Sequence, residues 1–508
     1  MFLSDFGEVW DQIFSFVTIL RARIGEFLLF SQVFVIYPKI RHFLMLKLME
    51  LDFGLFHYED AGSKREPCRH RAKRKEAMKA AFCTLGCKVN QYETEILQKQ
   101  FREDGFLLVP PEEEADVYVV NSCTVTSAGD KKTRQLLRQF RRRNPQALIA
   151  LTGCYPQAFP DEAGALPEAD LVTGTYNRRT LLADIREVLA SRERKVHILP
   201  HTRGEPFEPM QADRLSEHTR AFVKIEDGCD RYCSYCIIPK ARGPIRSKEL
   251  CHLREELEAL AANGYREVVL VGINLSSYGR DTGTFRLADA VELACSVEGI
   301  ERVRLGSLEP ELLTEEDLDR LAALPGFCPQ FHLSLQSGCT RTLRRMNRHY
   351  TAEEYAGIVG RIRARFENPS ITTDLMVGFA GETEEEFEES RAFAEQIGFA
   401  KIHVFAYSVR EGTRAASFPD QVPSEEKGKR SKAMMETAAR LRAGFLDSQK
   451  GTVQEVLFER RRSDGMWTGY TQNYTPVLVP GTAELGGCIK MVELGGRSGD
   501  ACAGRIKE

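Results

Sequence analysis

The sequence CDRYCSYC, residues 229–236, contains three cysteines in a C-x3-C-x2-C arrangement. It follows the apolar run Phe222–Ile225, which has the length and composition of a buried strand. Three thiolates this close together can hold three corners of a [4Fe–4S] cluster and leave the fourth iron free for a substrate or cofactor. A structural zinc site is the main alternative, but zinc needs a fourth ligand, which only Cys251 or His252 could supply from nearby in the sequence.

Strand and helix patterns alternate from this motif towards the C-terminus. The predicted strands are Phe222–Ile225, Val268–Val271, Val303–Leu305, Phe331–Leu335, Ile371–Val377 and Ile402–Phe405. The predicted helices are Leu250–Ala262, Leu287–Ser296, Glu315–Ala323, Ala352–Arg365 and Thr383–Gln396. Six such repeats predict a partial (β/α)6 TIM-like barrel, whose functional loops lie at the C-terminal ends of its strands.

The region before the barrel also alternates strands with helices, which predicts an N-terminal parallel-sheet α/β domain. Its predicted strands are Ala80–Leu85, Val117–Val120 and Ala147–Leu151, and its predicted helices are Gln91–Asp104 behind an Asn90 cap, Lys131–Arg143 and Asn177–Leu189. Cys87, Cys123 and Cys154 each follow one of these strands. Because the C-terminal ends of parallel strands share one edge, we expect the three thiols to converge on a second cluster site. The alternative is that each is a small buried apolar residue.

The C-terminal region contains short strand patterns separated by glycine and proline, which predicts a small β-barrel. These patterns are Val453–Phe458, Thr475–Val479, Ile489–Leu494 and Ala503–Lys507. The predicted domains are therefore residues 78–200, 218–442 and 445–508, with a linker rich in proline at 200–217. Residues 1–77 form an atypical leader whose apolar runs are too short to span a membrane. A start codon assigned too early, with Met78 as the true first residue, explains it better than an interfacial membrane anchor.

The composition excludes several classes of protein. The chain has 508 residues, 70 Lys and Arg against 73 Asp and Glu, and a formal net charge of −3, so it is not a basic nucleic-acid coat. Its 43% hydrophobic content excludes predominant disorder. The 14 cysteines follow no signal-peptide pattern, so we expect a cytoplasmic protein with reduced thiols that serve metal binding or catalysis.

The C-x3-C-x-aromatic-C motif on the first strand of a partial barrel resembles the radical S-adenosylmethionine (AdoMet) enzymes. The resemblance implies that the open iron binds the amino and carboxylate groups of AdoMet and that Tyr235 lies against its adenine. Segments at the ends of the later strands are also similar to the family's AdoMet-binding segments; they contain Gly272, Asn274, Ser307, Glu309, Gln336 and Asp374. One departure is Ala380, where the family usually has proline.

The order of the three modules resembles the radical SAM methylthiotransferases, which carry two [4Fe–4S] clusters and a TRAM RNA-binding tail. The sequence TLGCKVNQYE, residues 84–93, is similar to the branch that acts on threonylcarbamoyladenosine in tRNA. The branches that modify isopentenyladenosine in tRNA, or an aspartate of a ribosomal protein, remain alternatives. The resemblance implies that one AdoMet methylates a sulfur held at the Cys87/Cys123/Cys154 cluster. A second AdoMet, at the Cys229/Cys233/Cys236 cluster, yields the radical that removes hydrogen from C2 of the adenine.

The resemblance also implies partners, and the sequence offers candidate RNA contacts. We expect the tRNA anticodon loop as substrate, a flavodoxin- or ferredoxin-like electron donor, and no stable membrane partner. Positive charge comes from Arg460–Arg462 in the tail and from the basic pattern Lys131–Arg143 in the first domain. Trp467, Tyr470 and Tyr474 either stack on bases or belong to the barrel core. An RNA-binding sensor whose clusters do not turn over is the alternative from another functional class.

Overall fold

The computed structural model describes residues 77–208, 210–211, 219–481 and 483–507. The predictions made for residues 1–76 therefore lie outside the described residues. Within the described ranges, no helix is both long enough and apolar enough to cross a membrane. Residues 76–508 form one compact unit.

The first domain is a six-stranded parallel sheet in the order β2-β1-β3-β4-β5-β6, flanked by helices. Its strands are β1 Lys79–Thr84, β2 Leu107–Val109, β3 Val117–Ser122, β4 Leu148–Gly153, β5 Leu171–Thr173 and β6 Lys195–His197. Its helices are α1 Lys88–Glu103, α2 Ser127–Arg143, α3 Cys154–Ala158, α4 Pro160–Gly164 and α5 Leu181–Ser191, the last preceded by the 3-10 turn Arg178–Thr180. Strands β3 and β4 are buried along their whole length, as expected for a sheet covered on both faces. The predicted parallel α/β fold is confirmed.

The predicted Asn90 cap is wrong. Helix α1 begins three residues earlier, at Lys88, and Cys87 is its cap residue. Asn90 is buried in the first turn, where its amide donates hydrogen bonds to the Asn121 side chain at 3.3 Å and to the Ser122 carbonyl at 3.1 Å. Asn90 therefore ties the Cys87 turn to the end of β3, rather than starting a helix.

The second domain is an open barrel of parallel strands. Its main strands are β7 Arg220–Lys224, β10 Glu267–Val271, β11 Arg302–Leu305 with β12 Ser307–Leu308, β13 Gln330–Leu333, β14 Ser370–Val377 and β15 Lys401–Ala406; the hairpin β8 Glu226–Asp227 with β9 Arg246–Ser247 follows β7. The third strand is interrupted at Gly306, so β11 pairs with β10 whereas β12 pairs with β13. Counting β11 and β12 as one strand, this domain has six parallel strands in sequence order, as predicted for a partial barrel.

Most helices of this domain cover the outside of the barrel, whereas Ile238–Arg242 packs against Cys154–Ala158 of the first domain. The helices are α6 Ile238–Arg242, α7 Leu250–Ala262, α8 Leu287–Ser296, α9 Glu315–Ala322, α10 Thr340–Arg345, α11 Ala352–Arg365, α12 Glu384–Ile397 and α13 Ser424–Ser448, with short 3-10 turns at Leu275–Ser277, Pro310–Leu312 and Arg414–Ser417. Three of them start with a threonine cap and an acidic residue three positions later, as at Thr351 and Glu354. The long helix α13 was not predicted, and it runs through the predicted boundary at residues 442–445.

The tail is a closed five-stranded barrel in the order β16-β17-β18-β20-β19. Its strands are β16 Val453–Arg461, β17 Met466–Thr471, β18 Pro476–Pro480, β19 Ile489–Ser498 and β20 Ala501–Ile506. The predicted small β-barrel is confirmed, although β17 was missed. Trp467 is 3% exposed and its indole N–H donates to the Ala483 carbonyl at 3.0 Å, so this residue belongs to the tail's core and is not free to stack on RNA.

The tail packs against the N-terminal ends of the barrel strands. Arg304 donates to the Gln472 carbonyl at 2.7 Å, and its guanidinium lies 4.7 Å from the centre of the Tyr474 ring. Tyr474 in turn stacks on Tyr470 at 4.6 Å between ring centres, and Arg220 lies 5.0 Å from the Tyr474 ring. These two tyrosines therefore contact arginines of the second domain, which favours the structural one of the two roles that the sequence left open.

Candidate functional site

The first cysteine trio lies at the C-terminal edge of the first sheet. Cys87 precedes α1, Cys123 follows β3, and Cys154 is the first residue of α3 after β4. The turn at Gly86 has a φ of +121°, and a Cβ placed there would lie 2.9 Å from the Cys123 Cβ. Only glycine allows the Cys87 and Cys123 turns to approach this closely.

A second glycine brings Cys154 into the same corner. Gly153 has a φ of +99°, and a Cβ there would lie 2.5 Å from the Ser122 carbonyl oxygen. The end of β4 is therefore pressed against the end of β3, next to Cys123. The structure thus brings the three predicted thiols to one corner of the molecule.

The surroundings of this trio disfavour free thiolates and favour thiolates that are bound to a metal centre. Burial raises the pKa of Cys154 to about 12, and it also raises the pKa of Cys123. The thiols of Cys87 and Cys123 raise the Cys154 pKa further, whereas the Arg242 guanidinium lowers it by donating to the Cys154 sulfur at 3.2 Å. A cationic iron centre would supply the charge that holds all three as thiolates.

The second trio lies on the loop that follows β8, at the C-terminal end of the barrel. The Cys229 amide donates to the Gly243 carbonyl at 3.1 Å, and the Cys236 amide donates to the Cys233 carbonyl at 3.0 Å, so the loop folds back on itself. Burial raises the pKa of Cys229, and it raises the pKa of Cys236 to about 12. Arg348 donates to the Cys233 sulfur at 3.4 Å. Each trio therefore has one sulfur that accepts from an arginine side chain no more than 4% exposed.

The donor sets fit iron–sulfur clusters. Each trio consists of thiols alone, which are the ligands that hold [4Fe–4S] clusters in proteins, and three of them leave one iron open. Within the part of the chain that the structure describes, no group of three or more His, Cys, Asp or Glu residues is close enough to surround a single metal ion. Besides burial, the neighbouring thiols Cys123 and Cys87 nevertheless raise the pKa of Cys154, and Cys233 raises that of Cys236.

Several residues predicted to contact AdoMet lie on the turns around the second trio. Tyr235 is half-buried, with its ring edge-on to Phe379 at 6.3 Å between centres. The backbone N–H of Asn274 donates to the Glu226 carboxyl at 2.7 Å, and a Cβ at Gly272 would lie 2.6 Å from the same carboxyl oxygen. The other oxygen of Glu226 is buried without a hydrogen-bond partner in the described part of the chain. This end of the barrel thus retains hydrogen-bonding capacity for a polar ligand.

The remaining residues predicted to contact AdoMet differ in their exposure and in their contacts within the protein. Ser307 is exposed, whereas Glu309 forms an ion pair with Arg348. Gln336 has a φ of +70°, and its amide donates to the Asp374 carbonyl at 2.9 Å. The Asp374 carboxylate lies 3.3 Å from the His332 ring.

The turn at Ala380 closes without the family's proline. Gly378 and Gly381 both have left-handed φ values, +69° and +72°, and the Gly378 amide donates to the Glu382 carboxyl at 2.7 Å. Glu382 is held in turn by Arg430 at 2.8 Å. Ala380 itself is buried, so side-chain contacts supply the order that a proline ring would have given.

A cavity of about 680 Å³ runs through the barrel interior and ends at the first trio. At one end it is bordered by Cys87, Gly272, Ser307 and Asp374; at the other it reaches Tyr474 of the tail. A larger cavity of about 1070 Å³ lies beside the linker, and its described lining residues include no cysteine. The first cavity therefore connects the first trio with the predicted AdoMet-binding turns.

A buried ionic network joins the two trios. Arg242, six residues after Cys236, binds Glu93 at 2.6 Å and Asn90 at 2.9 Å, both in the helix that follows Cys87. Burial alone would raise the pKa of Glu93, but the charges of Arg178, Arg242 and Lys224 lower it to about 2. This network could not be predicted from the sequence, because nothing in the pattern around Arg242 distinguishes it from a surface arginine.

Three family models match the chain in the order of its domains. They are the uncharacterized protein family UPF0004 over residues 79–174, the radical SAM superfamily over 223–394 and the TRAM domain over 447–488. The chain is 37% identical over 419 residues to threonylcarbamoyladenosine tRNA methylthiotransferase MtaB of Bacillus subtilis (strain 168), covering 82% of this chain and 93% of that protein. A second MtaB, from Aquifex aeolicus (strain VF5), is also 37% identical, over 82% of this chain and 100% of that protein.

This chain belongs to the radical SAM methylthiotransferase family. Another member, the tRNA-2-methylthio-N(6)-dimethylallyladenosine synthase of Clostridium botulinum (strain Loch Maree / Type A3), is 33% identical over 74% of this chain and 85% of that protein. Among solved structures, the radical AdoMet methyltransferase TsrM from Kitasatospora setae shares the fold, with a TM-score of 0.51 and 14% identity over 77% of this chain and 80% of that one. A radical SAM methylthiotransferase works with a [4Fe–4S] cluster and AdoMet, and the predicted family and fold class are confirmed.

Proposed function

We propose that this methylthiotransferase acts on threonylcarbamoyladenosine in tRNA, adding a methylthio group to C2 of the modified adenosine 3′ of the anticodon. The relatives named MtaB support the branch, since they are more similar to this chain than the dimethylallyladenosine synthases. The observation that carries the proposal is the cavity that links Cys87 of the first trio to Gly272, Ser307 and Asp374 at the barrel's C-terminal end. A base in that cavity would lie between Cys87 of the first trio and the turns predicted to bind AdoMet.

Each trio is assigned to one of two [4Fe–4S] clusters. Cys229, Cys233 and Cys236 would hold the cluster whose open iron binds AdoMet, and Cys87, Cys123 and Cys154 would hold the second. When bound, the two clusters supply AdoMet cleavage and a place for the sulfur that is transferred. The proposed domains are residues 78–200, 218–442 and 445–508.

The chain's own residues position and enclose these groups. Tyr235 would pack against the AdoMet adenine, next to Phe379, while the turns at Gly272, Asn274, Ser307, Glu309, Gln336 and Asp374 would surround the rest of the cofactor. Arg348 and Arg242 each donate to one sulfur and neutralise part of the negative charge that a thiolate-bound cluster carries. The bound base would exclude water from the barrel cavity during radical chemistry.

The RNA and the electron donor would approach from outside this core. A single-stranded anticodon loop can extend its base into a cavity, whereas a base in a helix cannot. Arg460–Arg462 are exposed on the tail and available to phosphates. In the first domain, Arg134 and Arg141 instead bind the Tyr155 hydroxyl at 3.0 Å and the Asp170 carboxylate at 2.6 Å. A flavodoxin- or ferredoxin-like protein is the proposed electron donor.

Alanine substitutions in the two trios test these roles. In anaerobically reconstituted enzyme, Cys233→Ala should abolish the release of 5′-deoxyadenosine, because AdoMet loses its iron site. Cys123→Ala should still release 5′-deoxyadenosine but yield no methylthio nucleoside. Cys251→Ala, at an exposed cysteine outside both trios, is the matched control and should keep both activities. Formation of the methylthio nucleoside by either trio variant would contradict the role assigned to that trio.

Nucleoside mass spectrometry of tRNA from a strain lacking this gene tests the branch. Loss of the methylthio derivative of threonylcarbamoyladenosine is the expected result. Loss of the isopentenyladenosine derivative instead would move the chain to the other tRNA branch, and unchanged tRNA would favour a protein substrate or a sensor without turnover.

A further inference from the structure

The barrel cavity is lined by an unusual set of cationic side chains. Lys88 follows Cys87 directly, and its ammonium lies 5.5 Å from the centre of the Phe222 ring inside the barrel. The edge strand β15 places Lys401, His403 and Phe405 on the cavity side, in the alternation that a strand imposes. Both lysines therefore point towards the space that a bound base would occupy.

Neither lysine forms an ion pair with a carboxylate of the described residues. Arg220 pairs with Glu459 at 2.7 Å, and Arg304 pairs with Glu267 at 3.1 Å, so the two arginines at the tail end of the cavity have anionic partners. Lys88 and Lys401 make no ion pair with any described residue.

The cavity has little negative charge of its own. Asp374 is the one carboxylate among the described residues that line it, and that carboxylate faces His332 at 3.3 Å. Both lysines are exposed at the wall of the cavity. Two cations that line one cavity without a described counter-charge form a site for an anion, because hydrogen bonds between charged groups are stronger than those between neutral ones.

The proposed substrate carries such an anion. In threonylcarbamoyladenosine the carbonyl carbon of the substituent is bonded to N6 of adenine, and the threonine carboxylate stays free and ionised at neutral pH. The isopentenyl group has no charge. A cavity of about 680 Å³ is within the size range of ordinary ligand sites, so it can take a base with this substituent.

We propose that Lys88 and Lys401 bind the threonine carboxylate of the modified base and so select threonylcarbamoyladenosine over neutral N6 substituents. This inference rests on the proposed function and adds the residues that determine its specificity. Phe405 is 52% exposed and lies four residues beyond Lys401, about 13 Å along the strand. A base stacked on Phe405 would direct its N6 substituent along the cavity towards Lys401.

The selectivity follows from a contact that only the charged substituent can make. A neutral substituent forms no charge-assisted hydrogen bond with either ammonium group and so gains none of that binding free energy. One charge-assisted contact corresponds to roughly a tenfold to hundredfold difference in kcat/KM.

Matched RNA substrates test the proposal with reconstituted enzyme. Two anticodon stem-loops are compared, one carrying threonylcarbamoyladenosine and the other its threonine methyl ester, which lacks the negative charge. The wild-type enzyme should prefer the acid by roughly tenfold to hundredfold in kcat/KM. Lys401→Met and Lys88→Met should lower kcat/KM for the acid by a similar factor, mainly through KM, and leave the ester unchanged.

Further measurements separate the proposal from other roles of the lysines. Lys429→Met, at an exposed lysine that pairs with Glu425 on α13, is the control and should keep the wild-type preference. Because Lys88 adjoins Cys87, iron content and RNA binding by fluorescence anisotropy are measured for each variant. Lys401 is remote in sequence from all six cysteines, so Lys401→Met tests the carboxylate site even if Lys88→Met loses iron.

Two results would overturn the inference while the proposed function stands. The first is a wild-type enzyme that modifies the acid and the ester equally well. The second is a Lys401→Met variant whose preference for the acid is unchanged. A wild-type enzyme that modifies isopentenyladenosine RNA but not the acid would overturn the proposed function itself, and the inference with it.

Discussion

Arg242 connects two parts of the molecule that the sequence pattern treats separately. It belongs to the helix after the second trio, yet its guanidinium contacts Cys154, Asn90 and Glu93 of the first domain. The six cysteines were predictable because each follows a recognisable strand. Their arginine partners were not, because a contact between residues 88 or more positions apart leaves no local pattern.

Replacing Arg242 should destabilise the junction between the domains. Arg242→Met leaves the Glu93 carboxylate buried with fewer cations, which typically costs about 3–5 kcal/mol in the free energy of unfolding. Denaturant unfolding of the purified chain measures this value. Arg138→Met is the control, because Arg138 pairs with Glu168 at the surface and should contribute less than about 1 kcal/mol. Equal effects of the two substitutions would show that the buried network does not hold the domains together.

The Glu93 carboxylate should make stability depend on acid pH. Its pKa falls from the usual 4.5 to about 2 in the folded chain, because the cations around it favour the charged form. The folded state then binds fewer protons than the unfolded state, so the stabilisation is complete above about pH 4.5 and is lost as the pH falls towards 2. Glu93→Gln should flatten the dependence of unfolding free energy on pH in this window, compared with Glu258→Gln at an exposed position. An unchanged slope would exclude Glu93 as its source.

Helices and strands with strong periodicity could be predicted, and short or polar ones could not. The bounds of α7, α8 and α11 agree with the prediction, because each presents a regular apolar face to the barrel. The three-residue strands β2, β5 and β6 are too short to show an alternating pattern. Helix α13 has only a few buried residues among many charged ones, so its sequence resembles a solvated linker.

The exposed end of strand β16 should contribute to RNA binding. Arg460, Arg461 and Arg462 are all exposed, and replacing them with glutamine removes charge while the core packing stays intact. We expect weaker tRNA binding and a shallower dependence of log Kd on log salt, by about 0.7–0.9 for each phosphate that these arginines neutralise. Fluorescence anisotropy at several salt concentrations measures both. Arg254→Gln on α7 is the matched control, and a salt slope identical to wild type in the triple variant would place the RNA elsewhere.

The arrangement of the three domains places both cysteine trios and the barrel cavity together. The order of the domains could be predicted from the sequence motifs. The contacts between the domains could not, because Arg302 and Arg304 bind backbone carbonyls of the tail, which are present in any sequence. Tyr474 of the tail lines the end of the cavity that lies away from the first trio. The described residues of the three domains therefore form one compact unit that contains both trios and the cavity.

The count of clusters tests the two-site account most directly. Anaerobically reconstituted wild-type chain should bind about eight irons, with Mössbauer spectra of [4Fe–4S] type. A variant with Cys87, Cys123 and Cys154 changed to alanine should keep about four irons, and so should a variant with Cys229, Cys233 and Cys236 changed. Only about four irons in the wild-type chain, or zinc in place of iron in either trio, would contradict the account.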